Sequence, residues 1–257
     1  MIELLRCEFY KTRRRYVLLT ALFITAFALV FSLYGDYSGE NSSFLLENGW
    51  MMFLYQLPLS NAIFFPMLSI VTASRLADIE HKGLMLKQLS AIENKGKIFD
   101  AKLIYGLGII CLCVFINWAA VIIFGKLIGF GGELPLELYL RFLLFTIVPT
   151  AIIYIIQHTL SMVFKNQAAA FFSGLIGTFI GLFSMFLPQL PWLRRIIPWG
   201  YYGALQFVGL YGWTSETRYQ NAYFEIMEID TIFIIIVIAV LPVVYFAGRK
   251  LFRKREV

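Results

Sequence analysis

A chain of 257 residues that is 60% hydrophobic and only 15% charged, with a mean hydropathy of +0.74, is not a soluble domain, which carries about 25% charge. Apolar runs of about 18 residues or more recur, so the chain reads as an integral membrane protein with a single membrane domain, 1–257. The net charge of +6 does not point to nucleic acid, because the bases sit at the chain ends and between apolar runs, as membrane topology requires.

Residues 1–16 read as an amphipathic helix on the inner membrane surface. Ile2, Leu5 and Phe9, with Leu4 beside them, would face lipid, and Arg6, Lys11, Arg13, Arg14 and Arg15 would face headgroups. The apolar run that follows is too long for a signal peptide. Span 1 is expected at 17–34, then an outer loop with Asp36, Glu40 and Glu47 and no base. Span 2 is expected at 50–74, bent by Pro58 and Pro66. A polar inner loop, 75–102, separates it from span 3 at 103–128. Span 4 at 138–164 and span 5 at 168–187 flank a tight inner turn at Lys165.

The stretch 188–230 is apolar enough at 196–213 to suggest a seventh span. Seven spans would place the basic tail, Arg249 to Arg255, outside the cell, against the positive-inside rule. It reads instead as an outer re-entrant or interfacial hairpin between spans 5 and 6, with span 6 at 231–247. With six spans, all but five of the 22 Lys and Arg (Lys126, Arg141, Arg194, Arg195 and Arg218) lie inside, and both termini are cytoplasmic. The expected fold is therefore an all-α integral membrane protein with six transmembrane helices, an N-terminal interfacial helix and that outer hairpin.

The inner loop holds the densest chemistry. Asp78, Glu80, His81, Lys82, Gly83, Lys87 and Leu89 lie within twelve residues. Read as one helix over 79–91 at ~100° per residue, the loop puts Glu80, Gly83, Lys87 and Ala91 on one face, small and charged. This is either a solvated connector or a docking element. Elsewhere, Asn117, Gln157 and His158 are the polar residues within spans, suited to interhelical hydrogen bonds. Ser173, Gly174, Gly177 and Gly181 form a small-residue face on span 5 that admits a close neighbour, within the chain or in a second copy. Trp192, Trp199, Tyr201 and Tyr202 suit a membrane–water interface or a cargo path at the outer side.

No catalytic set is present. Glu80-His81 lacks a second histidine at zinc-protease spacing, Cys7, Cys111 and Cys113 make no metal pair, and no metal site is expected. Gly96-Lys97 is followed by Ile98 and Gly125-Lys126 by Leu127, so neither is a phosphate-binding loop.

The order Glu80, Gly83, Lys87, Leu89, with Lys102 opening the next span, resembles the cytoplasmic loop of type-2 ABC exporter permeases. The proline common after that loop is missing here; Ala91-Ile92-Glu93-Asn94-Lys95 stands in its place. The run Pro198-Trp199-Gly200-Tyr201 is similar to a turn in permeases of lantibiotic immunity and bacitracin resistance. The resemblance implies a non-enzymatic membrane subunit in a bacterial plasma membrane, paired with a second permease, identical or homologous. Two ATP-binding cassette subunits would hold ATP and Mg, with no cofactor in this chain. Membrane lipid and a peptide cargo are the other partners implied. On this reading Glu80 and Lys87 meet charges in the partner's cleft. The alternatives are export of another lipophilic or small substrate, and a non-transporting scaffold or sensor.

Overall fold

The computed structural model describes residues 1–34, 42–82, 85–187, 189–216 and 218–255. In chain order the helices are α1 (Ile2–Arg13), α2 (Val17–Leu33), α3 (Ser42–Glu47), α4 (Gly49–His81), α5 (Met85–Ile92), α6 (Lys95–Ile128), α7 (Leu136–Val163) and α8 (Gln167–Met185). The outer segment follows as α9 (Leu193–Ile196), a 3-10 turn (Pro198–Gly200), α10 (Tyr201–Ala204), β1 (Val208–Tyr211) and β2 (Tyr223–Ile226), and α11 (Thr231–Lys254) closes the chain. Among the described residues, five helices (α4, α6, α7, α8 and α11) are long and apolar enough to cross a membrane. The pair α1 and α2, meeting at 70°, makes a sixth only as a bent unit.

The outward faces are apolar. On α8, Phe172, Ile176, Phe179 and Phe183 are each more than half exposed and recur at helical spacing. Such a stripe is a liability in water and the ordinary outer face of a helix in lipid. The opposite face of α8 is the small-residue one. A Cβ on Gly177 would lie 2.6 Å from the Trp199 ring, and one on Gly181 would meet the Trp199 backbone. Gly174 faces Ile70 and Gln157. With its amide oriented to satisfy both neighbours, Gln157 donates to Ala170 O at 3.2 Å and accepts from Gly174 N–H at 3.3 Å. Ser173 turns back to its own helix, donating to Ala170 O. The glycine seats are thus filled from within the chain.

The bundle has two ends of different construction. At one lie the start of α4, the end of α6, the start of α7 and β1. Trp50, Phe53, Phe130 and Tyr139 interlock there in edge-to-face contacts, with Phe207 and Val208 in the same cluster. At the other end lie α1, α5, the start of α6 and the ends of α4, α7 and α11, with most of the bases. Arg249 binds Asp100 through Nε at 2.9 Å and Nη2 at 2.9 Å, and Tyr245 donates to the same carboxylate at 3.0 Å, tying α11 to α6.

The segment between α8 and α11 carries more local structure than a simple hairpin. It holds short helices and one short antiparallel strand pair with register Val208↔Ile226 to Tyr211↔Tyr223, a local addition to a fold that is otherwise that of an all-α membrane protein. Aromatic and β-branched residues favour the strands, and Gly212 at φ 73° leaves β1. Tyr201 and Tyr202 are buried, Tyr202 within 2.8 Å of the Thr150 hydroxyl, and Trp199 is half-buried on α8. These three therefore serve packing in this conformation and do not line an exposed path; Trp192 is 54% exposed.

Trp199→Ala should destabilise the detergent-solubilised protein by about 3–5 kcal/mol, the usual cost of emptying a large aromatic seat. Trp192→Ala should stay within about 0.5 kcal/mol of wild type. Equilibrium unfolding of the two variants side by side checks the assignment, and equal stabilities would contradict it.

Candidate functional site at the basic end of the bundle

Helix α4 does not stop where its apolar run ends. It continues through Arg75, Asp78 and Glu80 to His81, seven residues beyond the expected boundary. Helix α6 likewise starts early, at Lys95, where the Asn94 side chain accepts from Gly96 N–H at 2.8 Å. The expected single helix over 79–91 is therefore split between α4 and α5. Glu80 and Lys87 share no face. Gly83 lies outside the described residues, as do Asp36 and Glu40.

The charges in these helix ends are tolerable because they meet one another. Glu80 and Lys102 both have side-chain exposures of 0% and lie 3.2 Å apart. Lys102 Nζ also donates to Glu8 at 2.6 Å, and Lys11 Nζ donates to Glu80 at 2.9 Å and lies 3.7 Å from Glu8. Two carboxylates and two ammoniums thus form a neutral quartet joining α1, the end of α4 and the start of α6. Thr12 and Tyr105, with hydroxyls 2.7 Å apart, continue it one turn further along α6. Desolvation of a single ion costs several kcal/mol, so each member holds only while its partners stay in place.

This arrangement turns Glu80 inward, away from the surface where a docking residue was expected. A carboxylate with no exposed surface and two partners in its own chain does not reach into another subunit's cleft in this conformation. Lys11, expected among headgroups, is turned inward for the same reason. Asp78 and Lys82 form an exposed i,i+4 pair at 2.6 Å, worth about 0.3–0.5 kcal/mol. His81 Nε2 lies 2.9 Å from Ser161 O and ties α4 to α7. In the turn between α5 and α6, the Lys97 ammonium beside Glu93 holds that carboxyl below the usual carboxylate range.

Glu8 was the residue that sequence reasoning passed over. Its signal was present: Glu8, Lys11 and Thr12 recur at i, i+3 and i+4 on one face of α1. Lys102 carried one too, a lysine set between Ala101 and Leu103 at the head of an apolar run.

Helix α5 offers the outward surface that the quartet lacks. Leu86 is buried and Leu89 packs against the main core cluster, which fixes the helix to the bundle. Lys87, Gln88 and Ile92 face outward, Ile92 with 82% of its surface exposed. A two-turn helix seated by two leucines, with an exposed isoleucine and a lysine on its free side, is the geometry of a docking element.

The family comparison bears on this end of the molecule directly. The model of one protein family, described as ABC-2 family transporter protein, matches residues 4–181, from α1 through most of α8. The chain belongs to that family. No curated protein matches it. Membership makes this ABC-2 chain a transmembrane subunit of an ABC transporter and implies an ATP-binding cassette partner.

Neutralising one member of the quartet should be costly. Glu80→Gln or Lys102→Met should each destabilise the protein by about 3–5 kcal/mol, because each leaves a buried charge without its partner. Each should also quicken tryptic cleavage at Arg13–Arg15 by releasing α1. The exchange Glu8→Lys with Lys102→Glu should recover part of the loss. Cleavage rates equal to wild type in the single variants would show that α1 is held by other contacts.

Proposed function

We propose that this chain is the permease subunit of an ATP-driven exporter in a bacterial plasma membrane, and that α5 is the surface on which the ATP-binding subunit docks. The observation that carries this reading is the exposed face of α5, Lys87 and Ile92, on a helix anchored by Leu86 between the ends of α4 and α6. By the positive-inside rule the basic end is cytoplasmic, and with it both termini. The bent pair of α1 and α2 then completes six spans.

ATP and Mg belong to the partner in this reading, since no phosphate-binding loop occurs in the chain. Closure of two ATP-binding subunits on a pair of permeases presses on α5. Leu86 and Leu89 pass the displacement to the bundle. The last turn of α4 and the first turns of α6 carry it to Glu80 and Lys102, and so to α1. The exposed Asp78–Lys82 pair and Lys87 are the charges placed to meet the partner.

The proposed cargo is an amphipathic antimicrobial peptide of the lantibiotic or bacitracin type. The Pro198–Tyr201 run supports it by resemblance. Trp192, Tyr211 and Trp213, exposed in the outer segment, are apolar surfaces that such a peptide would contact on leaving. Trp199, Tyr201 and Tyr202 hold that segment in place.

Lys87→Glu with Ile92→Asp should abolish co-purification of the ATP-binding subunit from the native host while the permease itself melts as wild type. Pull-down with measurement of ATPase activity reads the result. Stoichiometric ATPase with wild type and none with the variant is the expected outcome. A wild-type preparation without ATPase would instead favour a non-transporting scaffold.

A further inference from the structure

The elbow between α1 and α2 encloses a groove that the transport reading does not use. Its cavity is about 270 Å³ and is lined by Phe9, Thr12, Arg13 and Tyr16 from the α1 side, Val17, Leu18 and Leu19 from α2, and Tyr105 from α6. We infer that this groove binds the glycerophosphate headgroup region of one anionic phospholipid, with Arg13 on the phosphate and the acyl chains running along α2.

Three observations carry the inference. The first is charge. Arg13 and Arg14 have no side-chain partner among the described residues, no acid occurs between residues 9 and 35, and Glu8 is already engaged by Lys102 and Lys11. The lip of the groove is thus cationic and uncompensated. The second is the apolar track. Leu19, Phe23, Phe27 and Val30 recur along one face of α2, each more than half exposed, and lead directly away from the groove. A free phosphate would leave that track unused, whereas a phospholipid fills both. The third is the elbow backbone. Tyr16 sits at φ 54°, a left-handed conformation that a bulky residue adopts only under strain. Arg75 Nη1 reaches Arg15 O at 3.3 Å across the same turn. The elbow is therefore held in a strained shape that keeps Arg13 beside the mouth of the cavity, where hydroxyls of Thr12 and Tyr105 form its polar floor.

The test uses the full chain purified in mild detergent and exposed to an equimolar mixture of phosphatidylglycerol and phosphatidylcholine, with retained lipid counted by native mass spectrometry. Wild type should retain one phosphatidylglycerol per chain in preference to phosphatidylcholine. Arg13→Ser should weaken retention about tenfold, as loss of a charge-assisted contact predicts. Leu19→Trp, which keeps every charge but fills the groove, should weaken it as well, and Lys165→Ser at a distant basic turn should not. Equal retention of the two lipids, unchanged retention in both groove variants, or an equal loss in Lys165→Ser would each overturn the site. Displacement of the lipid by millimolar inorganic phosphate would overturn its assignment to a phospholipid.

Discussion

Four charges packed against one another, three of them buried, set the shape of the cytoplasmic end as this chain is read. Glu8, Lys11, Glu80 and Lys102 come from three places in the sequence, and none can be left alone in a low-dielectric interior. The constraint is therefore collective. The end of α4, the start of α6 and the inward face of α1 must arrive together. This turns α1 from a surface anchor into a member of the bundle, and the outward turn of its arginines follows from the inward turn of Glu8 and Lys11. The neutral total matters as well, because a surplus of either sign would have to be balanced from solvent or lipid.

The quartet also explains why α5 is short and separate. With Glu80 committed to Lys102, the last turn of α4 and the first turns of α6 are locked side by side. The chain between them is free only over residues 82–94, and α5 spans most of it. Its two inward leucines meet the core and its remaining side chains are left outside. A force on α5 thus reaches two helices of 33 and 34 residues that cross the bundle to its aromatic end. Each is about 50 Å long, well beyond the ~30 Å hydrocarbon layer, so both project past the membrane where α5 sits.

Much of this was legible in the sequence, and the rest was hidden for physical reasons. The long helices follow from apolar runs that nothing but lipid would accommodate. The glycine face of α8 announced a close neighbour, but not that Trp199 would be that neighbour, because spacing reveals a seat without its occupant. The burial of Glu80 was not legible, because a carboxylate after an apolar run reads as the start of solvent. Its partners lie 69 and 22 residues away in the chain, and periodicity carries no information about such distances. The strand pair was missed because Val208–Tyr211 is apolar on every residue and lies in a stretch that also suits a helix, so no alternation distinguishes the two.

The two ends of the bundle differ in how they resist displacement. At the aromatic end, Trp50, Phe53, Phe130 and Tyr139 are fixed by shape, and sliding one ring past another opens voids that dispersion does not forgive. At the basic end the contacts are ionic and partly interchangeable. Lys11 already lies within 3.7 Å of Glu8 and 2.9 Å of Glu80, and Lys102 is shared between the same two carboxylates. A shift of α1 along α6 can trade one pairing for the other without stranding a charge, and the four-group set stays neutral throughout. Re-pairing within such a set costs far less than breaking it. The basic end is thus able to change partners, and the aromatic end is built to keep its shape. One end therefore yields by exchanging ion pairs, and the other resists because its rings have nowhere else to pack.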